Sequence, residues 1–129
     1  MKRLLLFMSS VLFLINVSAC KDNEVEVSFG SIYPNGSIMK IEIKDEYSGK
    51  TKTITDSKNI KDWMDKVQNM KFIQDKDQGE RASTLLNQYA ATIYHNKKQI
   101  GDLVTLRFKD VYYQENPQFT EAWQALYKQ

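Results

Sequence analysis

Two residue types that commonly do chemistry, histidine and cysteine, occur once each, as His95 and Cys20. One cysteine excludes an internal disulfide and a cysteine-based zinc cluster, and one histidine excludes a two-histidine metal site within one chain. A serine nucleophile would need His95 as its base, but His95 falls at the expected end of a strand beside a turn, where a plain edge residue is the simpler reading. The G-x-S-x-G, P-loop and G-x-G-x-x-G patterns are missing from the sequence, which removes the usual routes to hydrolase, nucleotide and dinucleotide chemistry. Asp75-Lys76-Asp77-Gln78-Gly79-Glu80 has the composition of a calcium loop and the wrong register. With Asp75 as position one, glycine arrives at position five instead of six and position twelve is Leu86 instead of glutamate. Glu42, Asp45, Glu46, Asp102, Asp110 and Glu115 are carboxylates of the kind glycosidases pair, yet no spacing selects any two of them. Acids on the outer face of a half-exposed sheet are expected for solubility. The reading is therefore a non-enzyme with no catalytic residue, no metal ligand and no cofactor.

Aromatic residues are the more informative enrichment, at 12% of the chain. Adjacent Tyr112 and Tyr113 must point to opposite faces if they lie on a strand, so one ring is core and the other exposed. The loop Ser31-Ile32-Tyr33-Pro34-Asn35-Gly36 carries two apolar residues where polar ones are the rule. Exposed tyrosines are typical interface anchors, and Tyr33, Tyr112 and Tyr113 are the candidate partner-binding residues.

The N-terminus explains the compartment. Met1-Lys2-Arg3 is cationic, Leu4 to Val17 is a run of fourteen uncharged residues, and Ser18-Ala19 supplies a small-residue site before Cys20. These are the three regions of an export signal. The run is shorter than the roughly 18 residues a membrane-spanning helix needs. Removing residues 1–19 takes Lys2 and Arg3 from the 18 basic side chains and none of the 16 acids, leaving 16 of each. A formally neutral domain with few arginines lacks the basic surface that nucleic-acid binding draws on, so no nucleic-acid partner is expected. Val17-Ser18-Ala19-Cys20 resembles the lipobox of bacterial lipoproteins. That resemblance implies cleavage before Cys20 and a thioether-linked diacylglycerol on its sulfur, placing the chain on the extracytoplasmic face of the cell membrane. An ordinary secretory signal is the other reading, and it would leave a free thiol in an oxidising compartment.

The elements that must position the candidates follow from periodicity. Residues 20–24 form a short tether and 25–129 a single domain. Val25 to Phe29 alternates as a strand; Pro34-Asn35-Gly36 turns; Met39, Ile41 and Ile43 oppose Lys40, Glu42 and Lys44; Ser48-Gly49 closes a hairpin onto Thr51 to Ile54. Ile60, Trp63, Met64, Val67 and Met70 form the apolar stripe of a helix over Ser57 to Asn69, opened by Asp56 or Ser57. Lys71 to Arg81 connects, with a short extended piece at Phe72-Ile73, and ASTLLNQ fits a helical turn or a strand lead-in equally. A three-stranded meander follows: Tyr89 to His95, then Gly101 to Phe108 with Val104, Leu106 and Phe108 alternating, then Val111 to Gln114 after a reversal at Lys109-Asp110. Asn116-Pro117 opens a closing helix with Phe119, Trp123, Leu126 and Tyr127 on one face. The order ββ(β)-α-βββ-α predicts a two-layer α+β fold, an antiparallel sheet of five to six strands with both amphipathic helices on one face.

With the lipobox, the short tether, the Ile60/Trp63/Met64/Val67 helix and the closing Tyr112-Tyr113, Phe119 and Trp123 block, the chain resembles the small single-domain lipoproteins of Bacillus-like bacteria. Among these it is similar to the exclusion lipoproteins of integrative and conjugative elements. That likeness implies binding to a membrane-embedded component of a donor's conjugation machinery, and it carries no residue-level motif. The expected function is non-catalytic protein recognition at the cell surface, by a domain held to the membrane by its lipid. A binder of small ligands or envelope polymers is the alternative.

Overall fold

The computed structural model describes residues 25–78 and 88–129. The expected signal segment 1–19, the expected tether 20–24 with Cys20, and residues 79–87 with most of ASTLLNQ lie outside the described residues. In chain order the elements are β1 (Glu26–Ser28), α1 (Phe29–Ile32), β2 (Lys40–Asp45), β3 (Thr51–Ile54), α2 (Ser57–Val67), β4 (Lys71–Ile73), β5 (Tyr89–His95), β6 (Lys98–Asp102), β7 (Arg107–Phe108), β8 (Val111–Tyr112) and α3 (Pro117–Tyr127).

Alternation in β2 buries Ile41 and Ile43 and leaves Lys40, Glu42 and Lys44 toward water, so the strand can pair on both edges. It does so with β3 and β5, within an antiparallel sheet ordered β3-β2-β5-β6-β7-β8. Its register aligns two rows of side chains across the strands. Ile54, Ile41, Ile93, Gly101, Phe108 and Val111 make the core row, and Thr53, Glu42, Thr92, Asp102, Arg107 and Tyr112 make the solvent row.

The expected two-layer α+β architecture is the one found, with a six-stranded antiparallel sheet and the two long helices against its apolar side. In α2 the Asp56 carboxylate accepts the Lys58 N–H at 3.1 Å, and Ile60, Trp63, Met64 and Val67 are buried. The helix ends at Val67, before the expected Asn69, and Met70 packs on the core from beyond its end. In α3 the Asn116 side chain accepts the Phe119 N–H at 3.2 Å, with Pro117 at the first helical position. Trp63 of α2 meets Phe119 of α3 at 6.0 Å between ring centroids. Both indole N–H groups, Trp63 Nε1 and Trp123 Nε1, are buried without a hydrogen-bond partner. The area these rings bury offsets that local cost of ~1–3 kcal/mol each.

Two expectations are corrected. The first strand does not join the main sheet: β1 pairs with β4 in a separate two-stranded sheet, and the chain leaves the strand at Phe29. Ser28 decides this, because its hydroxyl accepts the Ser31 N–H at 3.2 Å and starts α1, overriding the apolar alternation. Beyond β4 an isolated Gln74–Tyr113 bridge attaches this small sheet to the β8 edge.

The second correction concerns the meander, which has four strands rather than three. The expected Gly101–Phe108 strand is broken by a turn at Leu103–Leu106, because Asp102 Oδ1 accepts the N–H groups of Val104 at 2.9 Å and Thr105 at 3.0 Å. Val104, Leu106 and Phe108 supply the apparent alternation, but Val104 and Leu106 are turn residues, and it is the burial of Leu106 within the turn that makes the pattern look like a strand.

Candidate functional site

The three candidate tyrosines are held by different elements, and their environments separate them. Tyr33 is fully buried, at 0% exposure, so the exposed loop expected around it is a correction: α1 turns Ile32 and Tyr33 inward. Its ring packs beside Phe29 at 5.2 Å and Phe108 at 5.9 Å. Its hydroxyl donates to the Ile100 carbonyl and accepts the Lys109 N–H at 3.1 Å, pinning the β7–β8 turn to β6. A side chain at position 101 would occupy this space, since a Cβ there meets Tyr33 Oη and comes within 3.0 Å of Ile93 Cδ1. Tyr33 therefore has no surface with which to bind a partner; it positions the residues that do have one.

Burial pushes the Tyr33 phenol well above its ordinary value. Its folded pKa is raised, so its contribution is fully present below about pH 10 and is lost as pH rises beyond that, where the unfolded phenol ionises first. Tyr33→Phe removes the hydroxyl that bridges the Ile100 carbonyl and the Lys109 N–H and leaves them only their long direct bond of 3.3 Å; it is expected to cost ~1 kcal/mol at neutral pH. It is also expected to flatten the alkaline loss of stability, leaving the share that Tyr113, likewise raised by burial, supplies. Urea unfolding at neutral pH and above pH 10 measures both, and an unchanged neutral midpoint would contradict the pinning role.

Tyr113 is the core member of the adjacent pair, 9% exposed and stacked on Phe108 at 5.5 Å and 29°. It too is withdrawn from the surface, as the alternation of strand faces requires of one of the two. Tyr112 lies in the solvent row, half-buried, with the Arg107 guanidinium 5.8 Å from its ring centroid. Its backbone is clamped by Gln78, whose Oε1 accepts the Tyr112 N–H at 2.7 Å and whose Nε2 donates to the Tyr112 carbonyl at 2.7 Å. The Tyr112 carbonyl also accepts the Asp75 N–H at 2.9 Å, so the Gln78 amide extends the pairing that the Gln74–Tyr113 bridge begins and covers the β8 edge there.

Around Tyr112 the β6–β8 segment forms a concavity of ≈ 790 Å³ lined by Lys98, Asp102, Arg107, Lys109 and Asp110 among others. Arg107 and Asp110 pair at 2.8 Å. Three non-glycine residues here hold positive φ: Leu106 at +58°, Lys109 at +49° and Asp110 at +66°. Such backbone costs of order 1–3 kcal/mol per residue and persists where surrounding contacts over-determine it, as the Tyr33 hydroxyl does at Lys109. The arrangement displays a ring face, a guanidinium, two ammonium groups and two carboxylates on a fixed scaffold. It suits recognition by stacking and charge.

Among the described residues His95 and four aspartates serve the fold. His95 Nδ1 donates to the Ser37 carbonyl at 2.7 Å, tying the Pro34–Ser37 turn to the end of β5. Asp45, Asp56, Asp75 and Asp102 each accept backbone N–H groups in turns or at a helix start. Among the described residues no group of three or more His, Cys, Asp or Glu is gathered to hold a metal ion, and no helix is long and apolar enough to cross a membrane. Comparison with protein-family models, curated proteins and solved structures finds no match to this chain.

Sequence reasoning missed Gln78, Arg107 and Lys109. Alternation against Phe108 puts Arg107 on the wet side of its strand, but its neighbour Tyr112 is visible only through the β7–β8 register. Gln78 had no signal, since a side chain imitating a strand edge leaves no periodic trace.

Proposed function

We propose that this chain is a lipoprotein anchored through Cys20 on the extracytoplasmic face of the cell membrane, where its domain recognises another protein without catalysis. Its sharpest form is exclusion, in which the domain binds a membrane-embedded component of a donor cell's conjugation machinery. The observation that carries the reading is the over-determined β6–β8 segment that displays Tyr112 and Arg107. Tyrosine and arginine are the residues enriched at binding hot spots, and a rigid display lowers the ordering cost of association. Residues 21–24 span at most ~13–14 Å when extended, so an acylated Cys20 keeps the domain near the bilayer and favours a partner at that surface. Formal neutrality of the mature chain and the compartment together disfavour nucleic acid.

Photo-crosslinking tests this. With p-benzoylphenylalanine at position 112 in cells that do or do not meet donor conjugation machinery, the expected product is an adduct with one membrane protein of that machinery. The same probe at Tyr47, 82% exposed on the β2–β3 turn, serves as the control. Equal adducts from both positions, or adducts with cell-wall fragments alone, would contradict the proposal.

A further inference from the structure

A second concavity, ≈ 450 Å³, lies between the Pro34–Gly36 turn, the residues leading into β2 and the first two turns of α2. That is a ligand-sized volume, and its composition is of the ligand-binding kind, mostly apolar with few polar groups. Its apolar lining includes Pro34, Ile38, Ile60 and Met64, of which the last three are buried members of the core. Met39 forms the exposed rim. The alternation of β2 would turn Met39 inward with Ile41, but the residue is 45% exposed, while its N–H bonds to the Tyr94 carbonyl at 2.8 Å. A thioether chain at the mouth of an apolar groove is adaptable enough to close over a bound hydrocarbon.

Charge completes the assignment. Among the described residues Lys61 is the one charged side chain in the lining, and it makes no ion pair there. The remaining polar lining residues, including Thr55 and Ser57, are neutral. A ligand that fits has an apolar body and one anionic end. An extended peptide fits less well, because both edges of β2 are already paired and the groove meets β3 only at Thr55, past its end. Without a free strand edge the backbone of a peptide finds no ladder to join.

The geometry points to a binding site for a medium-length aliphatic carboxylate, its chain on Ile38, Ile60 and Met64 and its carboxylate against Lys61 Nζ. This site is separate from the Tyr112 surface, and neither depends on the other.

The test uses the full chain in cell membranes and octanoate carrying a terminal diazirine, with labelled positions read by peptide mass spectrometry. Label is expected on Met39, Met64 or their neighbours in the groove, and excess octanoate should compete it away. Lys61→Glu should lower labelling about tenfold, while Lys61→Arg, which keeps the cation, should stay within about twofold of the parent. The matching octanol probe should label weakly and should not respond to Lys61→Glu. Label scattered outside the groove, equal labelling by octanol and octanoate, or indifference of octanoate labelling to Lys61→Glu would each overturn the assignment. Helical circular dichroism of the Lys61 variants confirms that α2 is intact.

Discussion

Phe29→Ala is expected to lower the free energy of unfolding by ~3–5 kcal/mol, enough to populate the unfolded chain at physiological temperature if the domain has the usual 5–15 kcal/mol of stability. Phe29 is fully buried, and five rings meet it: Phe119 at 4.9 Å, Tyr33 and Phe108 at 5.2 Å, Trp63 at 5.6 Å and Phe72 at 6.1 Å. Those rings come from α1, α2, β4, β7 and α3 or their immediate flanks, so one truncation opens a cavity at the point where both sheets and the helices converge. Rigid rings collapse poorly into such a space, which places the expected cost in the upper part of the range for core truncations. Phe29→Leu keeps most of the volume and should cost less than half as much. Thermal or urea unfolding of the two variants beside the parent measures this, and equal stability of Phe29→Ala and the parent would refute the central placement of this ring.

The elements that sequence reasoning reached are those whose periodicity coincides with a local start or stop signal. In α2 the Ile60/Trp63/Met64/Val67 stripe agrees with the Asp56 cap, and in α3 Asn116-Pro117 agrees with the Phe119/Trp123/Leu126 face. The strand Tyr89–His95 was legible for the same reason, bounded by Asn96, which holds φ +53° in the turn. Where a single polar side chain overrides the pattern, the pattern misleads. Ser28 converts the end of a strand into α1, and Asp102 converts four residues of apparent strand into a turn; Gly30 and Gly101 lie beside these sites, but the polar side chains make the bonds that break the pattern. Tyr33 was misplaced because a one-turn helix is too short to show a period. The site inherits these limits. That one of Tyr112 and Tyr113 faces outward was legible from strand geometry alone, but which one depends on the Arg107–Tyr112 register. The groove beneath Met39 joins residues from three segments and has no sequence signature.

Cys20→Ala is expected to have the largest effect on function. In the proposed account the thioether-linked diacylglycerol is the only lasting attachment, because the fourteen-residue apolar run of the signal segment is removed. Two acyl chains hold a protein on a bilayer durably where a single myristoyl chain binds reversibly, each buried methylene contributing ~0.8 kcal/mol. Without the sulfur, the chain should either persist with residues 1–19 attached or appear free of the membrane. In both cases recognition by the short-tethered domain should be lost, although residues 25–129 fold as before. Full activity from a soluble form would refute the need for the anchor.

The most direct measurement is the mass of the N-terminal peptide of the mature protein isolated from membranes. A peptide that begins at Cys20 and carries a diacylglycerol on its sulfur is the predicted result. An unmodified Cys20, or a mature terminus elsewhere, would contradict the account of a lipid-held recognition domain.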